Sequence, residues 1–438
     1  MWSKLAIIAY YSVRYALVYL ILVFQSSDSM INDLSRQLAR EAMGQESLSP
    51  QEKLIDYHAN NSKLFLGIPK EERLQENRVS LTPNAVAMLV AHGHRVIIEK
   101  NAGKRSFYND SEYSEAGGEV IEDKKEIFKA SIILKVAPPT IEEIQLMPGD
   151  QMLISPLHMP LVTEEYLHTL RHKRIAAVAM EYLKDKNDSF PIVRILSEIA
   201  GLSAVLTAAE LLSTSSHGRG VLLGGIAGIP PAKVLILGAG VVGEFASKAA
   251  LGLGASLRVF DNNIYKLMRL QNSVGVPLHT SVLNPKYLEY QIKSADVVIG
   301  AIHSKTGRAP MVVSEDMVMK MKEGSVIIDV SIDQGGCFET SEVTTHDHPT
   351  FIKHGVIHYC VPNIASKVPR TSSSAISNII APLLLSTSEV QNIEEMLFAN
   401  PGLRHGVYTF KGHITNEYLS RRYNMKYSDI NLLLTSSF

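Results

Sequence analysis

The sequence predicts an α/β fold with two doubly wound parallel-sheet domains and a cleft between them. Short apolar runs alternate with helical stretches from Leu64 onward, which is the pattern of parallel strands covered by helices. A glycine-rich turn at 238–243 joins an apolar run to a helix of small residues, and a second apolar run follows. A last short apolar run at 406–411 could return one strand to the first sheet.

Composition agrees with this class. The chain has 438 residues, of which 46% are hydrophobic and 20% are charged, enough for two or three domains with filled cores. Its net charge of −1 gives no overall field for nucleic acid or an anionic membrane, so no nucleic-acid partner is expected. Cys337 and Cys360 are the only cysteines, which excludes a disulfide framework and makes a reducing compartment the simpler expectation.

The N-terminal segment 1–29 differs from the rest of the chain. Leu5–Phe24 is almost wholly apolar and about long enough to cross a bilayer. Three interpretations stay open: a signal or anchor, an artefact of a start codon upstream of a true start at Met30, or a helix packed on the body. A membrane partner is expected only if the segment is real. Residues 31–60 are predicted to be polar and helical.

The first half of the body begins with a strand–helix–strand unit. Its helix, Thr82–His92, is opened by a threonine and a proline, which form a favourable cap and first turn. The strands predicted for this half are Leu64–Ile68, Arg95–Ile98, Ile132–Val136, Gln151–Ser155 and Ile175–Ala179.

A long helix of small residues, Ser197–Ser213, leads to the second half. A glycine-rich connector, 218–231, follows it and is expected to approach a ligand or a neighbouring subunit. The segment from Thr371 onward is predicted to be helical. The strands predicted for the second half are Lys233–Leu237, Ser256–Phe260, Ala295–Ala301 and Ser325–Asp329.

The turn at 238–243 has the G-x-G-x-x-G spacing of a Rossmann dinucleotide site. Its first glycine allows a tight turn, its second clears the approach of a pyrophosphate, and its third lets the helix pack close to the strand. Asp261 ends the next apolar run, where a carboxylate bonds ribose hydroxyls and repels a 2′-phosphate, so NAD is the predicted cofactor. The alternative is a glycine-rich turn used only for packing. The cofactor-binding residues predicted from this motif are Gly238, Gly240, Val241, Val242, Gly243 and Asp261.

Two residues of the first half are candidates for the substrate site. Arg78 stands close to a predicted helix start, where its guanidinium could clamp a substrate carboxylate. The alternative is a surface arginine paired with Glu71, Glu72 or Glu76. His158 follows a predicted strand at the edge where an acid–base histidine is well placed, and an ordinary loop histidine is the alternative.

Further candidates lie at other strand ends. Asp333 precedes a Gly-Gly turn, where a carboxylate facing a nicotinamide could orient ammonia or a histidine; a turn-capping aspartate is equally compatible. Lys135, near the end of its strand, could bond a keto oxygen or point to solvent. His346 and His348 resemble a metal pair, but this spacing in a Thr/Asp/Pro loop is more typical of solvated residues, so no metal site is predicted.

Taken together, these motifs resemble the alanine dehydrogenase and nicotinamide nucleotide transhydrogenase family, and the alanine dehydrogenases more closely. The resemblance runs from about Leu64 to the C-terminus. The segments that carry it are Gly67-Ile-Pro-Lys-Glu71, Asn77-Arg78-Val79, Leu134-Lys-Val136, Leu157-His158, Leu196-Ser-Glu-Ile-Ala-Gly201, Gly238-Ala-Gly-Val-Val-Gly243, Ile332-Asp-Gln-Gly-Gly-Cys-Phe-Glu339, Thr344-Thr-His-Asp-His-Pro-Thr-Phe351 and Tyr359-Cys-Val-Pro-Asn363.

The resemblance implies reversible oxidative deamination of L-alanine to pyruvate and ammonium, with hydride transfer to NAD. It implies that Arg78 holds the substrate carboxylate, that His158 exchanges a proton with the substrate, and that Asp333 orients ammonia. Asp261 would bind the adenosine ribose. The further positions that match the lining of the NAD site are Ser197, Lys266 and Asn363.

The resemblance also bears on organisation. It implies a discontinuous first domain, so that 30–190 with 371–438 form the substrate domain and 191–370 the NAD-binding domain. It implies a homo-oligomer, usually a hexamer. A nucleotide-dependent enzyme has little use outside the cell, so a cytoplasmic location is expected unless Leu5–Phe24 is a real membrane anchor.

One departure from the family pattern concerns the substrate. Alanine dehydrogenases usually read Lys-Val-Lys-Glu-Pro here, and the second lysine contacts the substrate carbonyl, whereas this chain has Ala137 at that position. Losing one donor to a developing oxyanion typically costs about 10²–10³ in rate. Lys135 lies two residues away on the same face of the strand and is expected to substitute for it. The residues after Asn363 also differ, so a 2-oxo acid other than pyruvate stays open as the substrate.

Other functions remain open at this point. One is the soluble nucleotide-binding subunit of a proton-translocating NAD(P) transhydrogenase, although the alanine-dehydrogenase-type segment at 332–339 and His158 argue against it. Another is a non-catalytic NAD-binding regulator that kept the fold after losing the substrate lysine. A saccharopine-type dehydrogenase is a minor alternative, because its longer dicarboxylate substrate needs additional basic residues that the sequence does not place.

Overall fold

Two β-sheets organise the protein, and helices cover both. The computed structural model describes residues 64–304, 307–386 and 392–435. The predictions for Leu5–Phe24, for Met30 and for residues 31–60 lie outside these ranges. The strands are β1 (Phe65–Ile68), β2 (Arg95–Glu99), β3 (Glu119–Ile121), β4 (Ile132–Leu134), β5 (Met152–Ser155), β6 (Ala176–Ala179), β7 (Lys233–Leu237), β8 (Ser256–Phe260), β9 (His279–Ser281), β10 (Val297–Gly300), β11 (Val326–Asp329), β12 (Thr350–Lys353), β13 (Val356–Tyr359), β14 (Val407–Phe410) and β15 (His413–Ile414).

The helices connect these strands and line their faces. They are α1 (Pro83–Ala91), α2 (Asp110–Glu115), α3 (Lys124–Ile127), α4 (Ile141–Leu146), α5 (Glu164–His172), α6 (Pro191–Leu211), α7 (Val241–Gly252), α8 (Ile264–Val274), α9 (Pro285–Ile292), α10 (Glu315–Met319), α11 (Pro369–Ser386), α12 (Ile393–Ala399), α13 (Pro401–His405), α14 (Glu417–Arg422) and α15 (Ile430–Thr435).

The first sheet has eight strands in the order β15-β14-β6-β5-β4-β1-β2-β3. Strands β1 to β6 pair in parallel, which was predicted for all of them except β3, and their central members are buried on both faces. The run predicted at 406–411 forms β14, which pairs antiparallel with β6. The C-terminal part of the chain therefore completes the sheet that the N-terminal part begins.

The second sheet has seven strands in the order β12-β13-β11-β10-β7-β8-β9. The four strands predicted for this half are present as β7, β8, β10 and β11, all in parallel register. The strand order reverses at β7, which lies between β10 and β8. Ligands of doubly wound sheets bind outside the carboxyl ends of the strands at such a switch point, and the turn at 238–243 lies there.

The sequence predicted a helix that begins at Ser197, but helix α6 begins earlier, at Pro191. Proline is favoured at the first helical position because its fixed φ suits a helix and its missing N–H has no intrahelical partner there. Among the helices that the structure describes, α6 alone is long and apolar enough to cross a membrane. It packs against α7 and α11, and 50% of its apolar stretch is buried, so we interpret it as a core helix.

Short strands at the sheet edges were not predicted. β3 and β9 have three residues each, with partly exposed side chains and no buried apolar run. The hairpin of β12 and β13 turns at His354 and Gly355, both with positive φ. Its strands contain Phe351, Ile352, Val356 and Ile357, a hairpin signal that the sequence analysis missed. The connector at 218–231 is mostly exposed and carries one isolated bridge, between Ile226 and Ile229.

Candidate functional site

Arg78 lies in the loop between β1 and α1 and is buried against Glu76. Its Nε donates to Glu76 Oε1 at 2.7 Å and its Nη2 donates to Oε2 at 2.6 Å, which is a bidentate fork. The guanidinium lowers the pKa of the Glu76 carboxyl against the opposing effect of burial. The remaining nitrogen, Nη1, is buried and has no hydrogen-bond partner among the described residues. Arg78 is therefore paired but not surface-exposed, and one of its nitrogens is left for a ligand.

Residues from the second sheet reach this pair. Asn363 Nδ2 donates to Glu76 Oε2 at 2.7 Å, while its backbone N–H donates to Asp333 Oδ1 at 3.1 Å. Asn363 has a left-handed conformation, with φ of 56°. Asp333, Asn363, Glu76 and Arg78 thus form one continuous polar chain across the edges of the two sheets.

Asp333 lies in the 3₁₀ turn Val330–Gln334 that follows β11. Desolvation by the surrounding protein raises the pKa of its carboxyl to about 6, opposed by the Asn363 N–H and by the charge of Arg78. The side chain is nevertheless open to solvent on one side, so water screens part of this effect. A carboxyl of this kind changes protonation near neutral pH, which suits proton exchange with a ligand.

Further contacts fasten the loop before Arg78 to the second sheet. Gln75 accepts a hydrogen bond from the His346 amide at 2.7 Å and donates to Asp347. The Asn77 amide donates to Ser366 Oγ at 3.0 Å. These contacts hold the two sheet edges together around the polar chain.

His158 follows β5, as predicted, and is half-buried. Its backbone is left-handed, with φ of 36° and ψ of 78°, an uncommon conformation for a residue with a side chain. Burial lowers the pKa of its imidazole, and the nearby positive charge of Arg73 lowers it further. The ring is therefore neutral at pH 7, the form that accepts a proton. No contact recorded among the described residues joins the His158 ring to the chain of Arg78 and Asp333.

Lys135 is buried and paired. Its Nζ lies 3.0 Å from Glu71 Oε2 and 3.4 Å from Glu143 Oε2, and Lys124 Nζ lies 2.9 Å from Glu143 Oε1. The opposite charges raise the pKa of Lys135 despite burial, which acts to lower it. Its ammonium does not point to solvent, and two carboxylates already engage it.

Arg73 contacts the segment that follows Ala137. Ala137 is buried, with 1% of its surface exposed, and offers no donor. Arg73 Nη1 donates to the Pro139 carbonyl at 3.2 Å, and its charge acts on the His158 ring. Sequence reasoning did not single out Arg73, because it lies in a charged run that reads as a solvated loop.

The glycine turn has the shape of a dinucleotide cradle. Gly238 has φ of 113°, and a Cβ there would lie 2.3 Å from the Ala301 carbonyl oxygen. A Cβ at Gly243 would lie 1.9 Å from the Gly238 carbonyl oxygen, so close packing of α7 on β7 requires glycine. A Cβ at Gly240 would meet nothing within 4 Å. The open space lies at the N-terminus of α7, where the helix favours an anion, and the cradle fits a pyrophosphate.

Asp261 stands beside this cradle at the end of β8. Its Oδ2 accepts the Ala239 amide at 2.8 Å and its Oδ1 accepts the Asn263 amide at 2.7 Å. Lys266 Nζ lies 3.9 Å from Oδ2. Val241 and Val242 open α7, and Ser197 lies on α6; all three are partly exposed. The structure thus groups Asp261 and Lys266 with the glycine turn.

Two other carboxylates near the site were missed by sequence reasoning. Glu76 was considered only as a surface partner of Arg78, and Glu181 was not considered. Glu181 follows β6 and accepts the Leu157 amide at 2.9 Å, next to His158. The Glu76 contact is local, two residues before Arg78, and what the sequence did not show is that the pair is buried. Glu181 meets the His158 segment only through the pairing of β5 with β6, so no local sequence pattern indicates it. Among the described residues, no group of three or more His, Cys, Asp or Glu side chains could hold a metal ion.

Two family descriptions match the chain. "Alanine dehydrogenase/PNT, N-terminal domain" matches residues 67–200, and "Alanine dehydrogenase/PNT, C-terminal domain" matches residues 204–417. Alanine dehydrogenase 2 of Staphylococcus aureus (strain USA300) is 40% identical over 367 residues, which are 83% of this chain and 98% of that protein. Alanine dehydrogenase 2 of strain Mu50 has the same identity and the same coverage.

Solved structures give the same result. A structure of L-alanine dehydrogenase superposes with a TM-score of 0.77 at 36% identity, covering 82% of this chain and 99% of that one. A transhydrogenase from Sinorhizobium meliloti superposes with a TM-score of 0.69 at 24% identity, covering 81% of this chain and 99% of that one. The second match reports the fold alone.

Proposed function

Because the chain belongs to the alanine dehydrogenase/PNT family, we propose that it is an NAD-dependent alanine dehydrogenase. The reaction is reversible: L-alanine, NAD⁺ and water give pyruvate, ammonium, NADH and a proton. The observation that carries the assignment of the site is the polar chain from Arg78 to Asp333, which joins the two sheet edges beside the dinucleotide cradle. The transhydrogenase alternative is less favoured, since that match is more distant in sequence.

Arg78 binds the substrate carboxylate in this proposal. Among the described residues its Nη1 is buried without a hydrogen-bond partner, and its other two nitrogens are held by Glu76, so the orientation of Nη1 is set before substrate arrives. A preset donor loses little conformational entropy on binding. Asn363 holds Glu76 from the other side.

His158 and Asp333 handle protons. The neutral His158 ring accepts a proton from the substrate during deamination and returns it during amination. Asp333 accepts hydrogen bonds from ammonia or from the amino group and orients it toward the carbon that changes oxidation state. NAD, when bound at Gly238–Gly243 with Asp261, Lys266, Ser197 and Asn363, supplies the hydride acceptor.

Lys135 supports the substrate side through its carboxylate partners. Its ammonium neutralises Glu71, whose Oε1 accepts the Val136 amide at 2.6 Å and so fixes the strand end beside Ala137. Direct contact with the substrate carbonyl requires Lys135 to release Glu71 or Glu143. Because residue 137 is alanine, the assay below includes 2-oxo acids other than pyruvate.

The assay that tests the function follows NADH absorbance with ammonium and pyruvate, and then with a panel of other 2-oxo acids. We expect ammonium-dependent NADH oxidation with pyruvate. Turnover with another oxo acid only would keep the reaction class and change the substrate. NADH binding without turnover on any oxo acid would contradict the proposal and select a non-catalytic NAD-binding protein.

Assembly and location are also proposals. We propose a homo-oligomer, a hexamer by resemblance to the family, supported by exposed apolar side chains on the connector at 218–231, where Leu222 is 68%, Ile226 58% and Ile229 60% exposed. We propose a cytoplasmic location, since the reaction uses NAD and the buried Cys337 and Cys360 are both free thiols.

A further inference from the structure

Glu181 lies beside the backbone of the segment that carries His158, the candidate acid–base residue. It sits in the 3₁₀ turn Met180–Tyr182 that follows β6, while His158 lies in the segment that follows β5. These strands pair in parallel, with Ser155 opposite Ala179, so both segments leave the same edge of the sheet side by side. The two residues are distant in sequence and adjacent in the fold.

The Glu181 carboxylate holds the backbone at His158. The Leu157 amide donates to its Oε1 at 2.9 Å, and the His158 amide is directed at the same carboxylate. A left-handed backbone on a residue with a side chain is strained and persists only where the surroundings fix it. The two amide contacts lie at that strained residue and at the one before it.

Apart from these amides, the carboxylate interacts with its own backbone N–H, and no other partner is seen among the described residues. Its Oε2 is buried and has no hydrogen-bond partner among the described residues, and no cation pairs with it there. Such a group is costly to bury. Burial raises the pKa of Glu181 to about 6, and above that pH the side chain is ionised and accepts hydrogen bonds only. The phenols of Tyr166 and Tyr408 lie 3.4 Å apart nearby.

We propose that Glu181 is a positioning residue: it fixes the left-handed backbone at His158 and so sets the direction in which the imidazole faces the substrate. The inference rests on the proposed function of His158. Glu181 touches neither substrate nor cofactor in this scheme and acts only through the loop at Leu157 and His158. A misplacement of about 1 Å at a reacting group can lower the rate about 10²-fold. The gain in rate from fixing this loop therefore offsets the cost of burying the Glu181 carboxylate.

The test compares two variants of the full-length protein that match Glu181 in length. Glu181→Gln keeps the oxygen that accepts the two amides, whereas Glu181→Met fills the same space without a comparable acceptor. We expect Glu181→Gln to keep kcat within about threefold, and Glu181→Met to lower kcat about 10- to 100-fold. The dissociation constant for NADH, measured by fluorescence titration, should be unchanged in both.

A double-mutant cycle with His158 separates positioning from general damage. If Glu181 acts through His158, Glu181→Met has little further effect on the residual rate of a His158→Ala background. An equal loss in both backgrounds, equal losses for Gln and Met, or no loss for Met would each overturn the inference.

Two controls keep the outcomes distinct. If the wild-type protein has no turnover, the proposed function is contradicted. If the wild type turns over but the variants do not differ in kcat as expected, the inference about Glu181 is contradicted. A crystal structure of Glu181→Met gives a readout that does not depend on turnover: we expect His158 to leave the left-handed region. Retention of the wild-type backbone there would overturn the inference. If the methionine variant fails to fold, Glu181→Ala replaces it in the same cycle.

Discussion

At the scale of single residues, the site depends on buried charges that are already paired. Arg78 has Glu76, Lys135 has Glu71 and Glu143, and only part of each group is free for a ligand. Removing one member of a buried pair leaves the other charge unpaired, which costs about 3–5 kcal/mol. Substitutions in these pairs must therefore be separated into effects on folding and effects on substrate.

The first prediction concerns Arg78→Lys, which keeps the charge and loses the fork. A lysine cannot both span the Glu76 carboxylate and present a second fixed donor, so the substrate loses a charge-assisted hydrogen bond of about 1.5–3 kcal/mol. We expect kcat/KM for alanine to fall by about 10- to 100-fold, measured by initial rates, with NADH affinity unchanged. A wild-type KM in this variant would remove Arg78 from the substrate site.

The second prediction concerns Lys135→Met. This change leaves Glu71 and Glu143 buried without Lys135, so we expect a loss of about 3–5 kcal/mol in the free energy of unfolding, measured in urea. The double variant with Glu71→Gln should recover part of that loss, because one unpaired carboxylate is then neutral. If folded Lys135→Met also loses turnover on pyruvate while the double variant does not regain it, Lys135 contacts substrate directly.

The third prediction is the pH dependence of Asp333→Asn. A carboxyl whose pKa rises to about 6 on folding stabilises the fold at low pH, and this contribution is lost as the pH rises through 6. Asparagine does not titrate, so the variant should be more stable than the wild type above pH 6, with the difference vanishing in acid. Thermal melts across pH measure this. We expect kcat to fall by about 10²–10⁴, the range for general acid–base groups.

At the scale of elements, the central strands and the glycine turn could be predicted from sequence because their signals are local. An apolar run of β length followed by G-x-G-x-x-G specifies a strand, a turn and a helix within one short segment, and β7, β8 and α7 appear where predicted. The edge strands β3 and β9 could not be predicted, because short, half-exposed strands lack a continuous apolar run. The contacts of Glu181 and Arg73 could not be predicted either, because strand pairing decides which segments lie beside them.

The glycine turn offers a matched pair of variants, which is the fourth prediction. In Gly243→Ala the new methyl group meets the Gly238 carbonyl oxygen at 1.9 Å, so we expect a lower melting temperature. In Gly240→Ala the methyl group meets open space, and the residue has negative φ, so stability should be unchanged while NADH binding weakens. Calorimetry and fluorescence titration measure the two effects. Equal NADH affinity in Gly240→Ala would place the pyrophosphate elsewhere.

At the scale of the whole molecule, the exposed apolar connector bears on assembly, and this is the fifth prediction. If Ile226 and Ile229 are covered in an oligomer, replacing both with glutamate puts charges into a desolvated interface. We expect a smaller particle by light scattering, with an unchanged far-ultraviolet circular dichroism spectrum. A matched control is Ile264→Glu, at a residue that is 61% exposed at the start of α8, away from the connector. An unchanged mass in the connector variant would contradict this interface.

The antiparallel pairing of β14 with β6 has a consequence for how the protein is made. Residues 180–406, including the whole second sheet, lie between these two strands, so β6 leaves the ribosome well before its partner. At the usual elongation rate, the edge of β6 that pairs with β14 stays unpaired for roughly 10–45 s. An open strand edge invites pairing with another chain. Co-translational folding of this protein is therefore expected to complete the second sheet first, with the nascent first sheet depending on chaperones until its final strand emerges.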